Sequence, residues 1–234
     1  MNKEIEIMIR LQGFWDRVLE AQKNIEKWQE NIAEAEKRAG TCAAAVESGE
    51  KEIKAVKNLL KQEELLLADL EEKAQKLSER KTIVQNEKEL TAVSNELDKI
   101  LEQKGESEEK IILMIDDIDE KEKTGRDLAV QLSEAQSSYE DKKSGLNEKI
   151  QQARDVISEN SEKYVELLPE LSNTVKARFD KLIKSKNGKA VGEIIGEVCS
   201  SCNFQIPSQL VADALKDDII AVCTNCGRFI YARK

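Results

Sequence analysis

The stretch "KTIVQNEKEL" at 81–90 interrupts an otherwise regular sequence. Its β-branched pair, Ile83 and Val84, weakens a helix. Asn86 suits the start of a new one, with Glu89 three residues on to close a capping box. On its N-terminal side, steps of seven give Leu11, Val18, Ile25, Ile32, Ala39, Val46, Ile53, Leu60, Leu67, Ala74 and Lys81, all apolar but the last. Three residues further on, the same step gives Phe14, Ala21, Trp28, Ala35, Cys42, Gly49, Val56, Glu63, Leu70 and Leu77. Apolar residues at alternating three and four spacing keep to one face only if the helix supercoils against a partner.

Beyond the interruption the step resumes as Leu90, Leu97, Lys104, Ile111, Ile118, Gly125, Leu132, Tyr139, Leu146 and Ala153. Two helices of similar length joined by a few residues predict an antiparallel coiled-coil hairpin over 1–168, with its turn near 81–86. A turn centred between Ile83 and Val84 pairs Leu77 with Leu90, Leu70 with Leu97 and Val56 with Ile111. It also sets Trp28 opposite Tyr139 and Cys42 opposite Gly125. The charged seam residues Glu63 and Lys104 then face each other, a pair able to fix register.

Pro169 marks the end of the hairpin, since proline fits a first helical turn and breaks an interior one. The expected second region, 169–234, opens with a helix that stops at Asn187-Gly188. "KAVGEIIGEV" and "IIAV" read as strands and "PSQLVADALK" as a short helix. The fold class is therefore mainly α, a two-helix hairpin followed by a small β-rich domain.

That domain carries Cys199-x2-Cys202 and Cys223-x2-Cys226, the double-knuckle pattern of a four-cysteine zinc site. Asn203 and Gly227, each just after a second cysteine, tolerate the positive φ that a tight knuckle favours. A dithiol redox role needs only one such pair at a helix start, so two matched pairs favour one structural Zn2+. Four thiolates leave no position for water or substrate.

Composition narrows function further. Histidine is absent, which removes Ser-His-Asp and Cys-His catalysis, and there is no glycine-rich phosphate loop. The longest aliphatic run, "IILMI" at 111–115, is too short to span a bilayer, so no membrane role is expected. Paired cysteines suit a reducing, cytoplasmic setting. No small-molecule substrate and no enzyme activity are expected.

The net charge is −9, yet Lys176, Arg178, Lys181, Lys184, Lys186 and Lys189 crowd one segment beside a single acid, Asp180. With Arg228 and Phe229 past the last cysteine, this face is a candidate for nucleic-acid or partner binding.

The chain resembles a bacterial family of coiled-coil hairpin proteins that end in a four-cysteine zinc ribbon. The resemblance rests on "VQNEKELTAVSNELDKI" at 84–100, "LPEL" at 168–171, "VCSSCNFQIPSQ" and "DDIIAVCTNCGRFIY". Leu90 stands where that family carries a tip tyrosine. The resemblance implies a non-enzymatic adaptor with Cys199, Cys202, Cys223 and Cys226 as zinc ligands. It also implies partners among sigma-54-type transcription factors, flagellar or type III secretion components, and RNA. Two other functions compete with a protein scaffold: a nucleic-acid binder working through the ribbon and 174–189, and a regulator that inserts the coiled-coil tip into RNA polymerase. The tip has no aspartate to serve the latter.

Overall fold

A computed structural model describes residues 2–233. Helix α1 runs Lys3–Ile83 and α2 runs Glu87–Leu167, antiparallel to it. A 3-10 turn at Leu168–Glu170 takes up Pro169, and α3 follows at Asn173–Ser185. The remainder holds β1 (Val191–Ile195), β2 (Val198–Cys199), α4 (Ser208–Ala214), β3 (Ala221–Val222) and β4 (Phe229–Tyr231). The described chain forms two compact units: Met1–Ile32 with Lys142–Lys234, and Ala33–Asp141.

The heptad seam is visible in the burial of individual residues. Every position of the two α1 series from Leu11 to Leu77 is buried or half-buried, and so is every position of the α2 series from Leu97 to Ala153. The register, however, differs from the expected one. Glu63 Oε1 accepts a hydrogen bond from Ser107 Oγ (3.0 Å) and lies 3.7 Å from Lys110 Nζ. Lys104 instead bridges Glu71 (2.9 Å) and Glu108 (3.6 Å). The cause lies at the turn. Val84–Asn86 sits outside both helices, so Leu90 is exposed and Val93 becomes the first buried seam residue of α2.

A Cβ built on Gly125 would accordingly meet Ile53 rather than Cys42, and Trp28 shares a shallow groove with Gln152, Ala153 and Val156. Ser107, almost wholly buried in an apolar seam, has its hydroxyl satisfied by Glu63. Such a polar layer fixes register more than it adds stability. At the tip, Asn86 Oδ1 accepts the Lys88 N–H at 3.1 Å and so caps α2. Glu89 turns toward Arg80 at 4.0 Å instead of closing a capping box.

In the unit that carries the ribbon, Ile5, Met8 and Leu11 of α1 and Leu167 of α2 pack with Phe179, Leu182 and Ile183 of α3, and with Ala190, Val191 and Phe229. Helix α3 ends as its glycine requires. Asn187 (φ +54°) and Gly188 (φ +79°) are left-handed, and Gly188 N–H donates to Ile183 C=O at 2.9 Å. The sheet order is β2-β1-β4-β3. Strand β1 runs parallel to β4 and antiparallel to β2, and β3 runs antiparallel to β4. Gly196 and Glu197, both at positive φ, form the two-residue β1–β2 turn.

Gln12 joins helix to sheet. Its Oε1 accepts the N–H groups of Ala190 and Val191, each at 2.7 Å, and its Nε2 donates to Val191 C=O at 3.1 Å. Ala190 and Val191 are buried, so Gln12→Ala strands two backbone donors. The expected result is a loss of roughly 2 kcal/mol in hydrogen-exchange protection at the Val191 amide. Unchanged protection there would show that the clamp is dispensable.

Candidate metal centre and the basic face

Each knuckle is shaped by its own backbone before any ion is considered. In the first, Asn203 N–H (2.8 Å) and Cys202 N–H (3.3 Å) donate to Cys199 C=O, and Cys199 N–H donates to Phe204 C=O (2.9 Å). The second repeats the arrangement: Gly227 N–H donates to Cys223 C=O (3.0 Å), and Cys223 N–H to Arg228 C=O (2.9 Å). Asn203 (φ +56°) and Gly227 (φ +75°) take the left-handed conformation that reverses the chain after each second cysteine.

The four sulfurs of Cys199, Cys202, Cys223 and Cys226 lie within 4.8 Å of one another, with Cys202 Sγ and Cys223 Sγ 3.7 Å apart. Sulfurs held at about 2.3 Å around one tetrahedral ion stand about 3.8 Å apart, so the clustered donor set suits Zn2+. The four cysteines form a C4 site for one structural Zn2+. Cys199 and Cys223 are buried and Cys202 and Cys226 half-buried. Ile194, Ile206, Ala214, Ala221 and Ile230 surround them as a second apolar core.

Thiol acidities follow from this placement. Burial pushes the Cys199 thiol up to about 12, against hydrogen bonds from the backbone at Ser201 and Cys202. Burial likewise raises Cys223. For Cys202, burial is outweighed by hydrogen bonds from the Phe204 backbone, the Asn225 side chain and the neighbouring thiols, and its value falls to about 7. Buried thiols resist ionising alone, and a bound cation supplies the charge that holds them as thiolates. Gly192 of β1 lies behind the first knuckle: a Cβ there would fall 2.6 Å from Ser201 Oγ and 3.4 Å from Cys199 Sγ.

The basic face is only partly free. Phe229 is buried in the core, with the Arg178 guanidinium 5.5 Å from its ring centroid. Arg178 donates to Gly227 C=O at 3.0 Å. Arg228 donates to Lys189 C=O (2.8 Å) and Lys186 C=O (3.3 Å), and Lys189 pairs with Asp16 at 2.6 Å. These four residues tie α3, α1 and the second knuckle together. Lys181 and Lys184 are exposed and Lys176 and Lys186 half-buried.

Two features have no strong signature in the chain. Gln12 stands between Leu11 and Gly13 like any polar flank of a heptad. Trp15 sits beside a seam position, yet its ring meets Tyr164 at 5.7 Å between centroids. Only the structure shows that the two aromatics, with Gly188, line one cleft.

Residues 198–230 match the family of C4-type zinc ribbon domains. Among solved structures, the chain is similar to CT398 of Chlamydia trachomatis, with a TM-score of 0.88, 18% identity and 97% of each chain covered. It is also similar to a Mycobacterium smegmatis protein (TM-score 0.63, 16% identity, 98% of this chain and 99% of that one). A third similar structure is the HP0958 protein of Helicobacter pylori (TM-score 0.60, 16% identity, 99% and 98%). These likenesses extend over hairpin and ribbon together and show a shared fold. Comparison with curated proteins finds no match.

Proposed function

We propose that the protein is a non-enzymatic zinc-binding adaptor that presents its coiled coil and zinc ribbon to protein partners in the cytosol. One observation carries this reading. In the unit Ala33–Asp141, large aliphatic side chains that the seam does not use stand in solvent: Leu59, Leu65 and Leu66 on α1, and Leu101, Ile112, Leu113 and Ile115 on α2. Leu65, Ile112 and Leu113 are each at least 60% exposed. Exposed apolar surface supports docking of another protein where the side chains adjoin, as Leu65 with Leu66 and Ile112 with Leu113 do in sequence. The closed four-thiolate site supports the non-enzymatic part, because it has no position for a reacting ligand.

The family resemblance directs the search for a partner to sigma-54-type transcription and to flagellar or type III secretion components. For the nucleic-acid alternative, Lys176, Lys181, Lys184 and Lys186 are the expected cations that, among the described residues, make no contact with an acid. Arg178, Arg228, Lys189 and Phe229 are occupied within the fold.

The reading is tested by affinity capture from native cytosol, comparing wild type with the double variant Leu65→Lys, Leu113→Lys. Both positions are exposed, so helicity and zinc content are expected to stay at wild-type values. A stoichiometric protein partner, identified by mass spectrometry and depleted at least about tenfold by the variant, is the expected outcome. Capture of nucleic acid in place of protein, or a partner indifferent to both substitutions, would contradict it.

A further inference from the structure

A second feature lies on the unit Met1–Ile32 with Lys142–Lys234, apart from the exposed aliphatics. Trp15 and Leu19 of α1, Tyr164 of α2 and Ile183 at the end of α3 wall a cleft of about 730 Å³, within the size range of built ligand sites. Gly188 closes one end against Trp15 and Leu19, where any larger residue would fill the space.

The rim is cationic. Lys23 of α1 and Lys184 of α3 both line it and, among the described residues, neither is paired with an acid. The one acid of the lining, Asp180, stands beside Tyr164, whose hydroxyl is pushed up to about 12 by burial and by that carboxylate. An apolar floor under two unpaired ammonium groups, on a chain of net charge −9, is complementary to a ligand with an apolar body and carboxylates beside it.

We propose that this cleft docks a short acidic segment of a partner protein. Its apolar anchor side chain seats against Trp15, Leu19, Tyr164 and Ile183, and the carboxylates that follow are held by Lys23 and Lys184. A nucleic-acid base is a poorer fit. The indole is half-buried with its edge against Gly188, and the two rings are tilted at 47°, so they are not set parallel to sandwich a base. The proposal rests on the adaptor reading in needing a protein partner, but it assigns that partner a defined recognition site.

The chain has two tryptophans, so Trp28→Phe leaves Trp15 as the only indole reporter, inside the cleft. Zinc-loaded full-length protein in this background is titrated with a synthetic peptide bearing one phenylalanine followed by two glutamates. A second peptide with lysines in place of the glutamates, and a single-stranded oligonucleotide, complete the set. The expected result is a saturable change in Trp15 emission with the acidic peptide alone. Binding should weaken at least about tenfold in the exposed double variant Lys23→Glu, Lys184→Glu, and should fall with rising salt.

No response to the acidic peptide, equal affinity in the double variant, or an oligonucleotide response with the peptide silent would each overturn the proposal. No natural partner enters the titration, so its failure leaves the adaptor reading to stand or fall on the Leu65 and Leu113 capture.

Discussion

Replacing Cys223 with serine is expected to unfold the ribbon while leaving the coiled coil of residues 33–141 helical. Cys223 is buried, its sulfur lies 3.7 Å from that of Cys202, and no other described cysteine of the ribbon can take its place. The ribbon's strands are two to five residues long and its own apolar core is small. Below about 70 residues such a core rarely supplies enough stability, and structural zinc contributes on the order of 10 kcal/mol. The variant should therefore lose its zinc, and amide protection in β1 and β4 should fall to that of an open chain. Far-ultraviolet circular dichroism should keep most of its helical signal, because the seam of residues 33–141 uses no ribbon side chain. Retained protection in β4 together with lost zinc would show that packing, not metal, holds the ribbon.

Gly188→Ala should be nearly as damaging, by a different route. A Cβ at this position would lie 2.5 Å from Leu19 Cδ1 and 2.9 Å from Trp15 Cδ1 and Nε1. The backbone is at φ +79°, where an L-residue is itself strained. Strain and overpacking each cost about 1–3 kcal/mol, so a loss of roughly 2–6 kcal/mol is expected in the unit that carries the ribbon. Urea unfolding followed by Trp15 fluorescence in the Trp28→Phe background measures it. Glycine sits here because α3 must end by turning its chain across α1, and an equally stable Gly188→Ala variant would show that this contact yields freely. Gly192→Ala, by contrast, places its Cβ against the Ser201 hydroxyl and Cys199 Sγ at a backbone angle open to any residue, and should cost less.

Much of this fold is legible in the chain. Three-and-four spacing from Leu11 to Leu77 marks the seam position by position, because burial in a two-helix pair depends on little besides period. The zinc knuckles are legible for a similar reason. Spacing within each pair, and a residue able to adopt positive φ after it, are local properties that the fold has only to bring together.

Register is not local. It depends on how Val84–Asn86 leaves one helix and enters the next, and a slide along the seam moves Glu63 from Lys104 to Ser107 without changing the pattern of either helix. The internal contacts of the basic face are hidden in sequence for another reason. Arg178 and Arg228 look like free cations in sequence, but a guanidinium donates equally well to backbone carbonyls, and the carbonyls of Gly227, Lys186 and Lys189 arrive only on folding. Strand β4 is three residues long, too short to show an alternation of its own.

A four-thiolate metal centre that is a closed clasp, around which the ribbon folds, leaves no position for a reacting ligand. X-ray absorption fine structure at the zinc edge of the purified protein tests this directly. Four sulfur scatterers at about 2.3 Å, one ion per chain and no oxygen or nitrogen in the first shell are the expected result. Three sulfurs with a light-atom ligand would reveal an open position and contradict it.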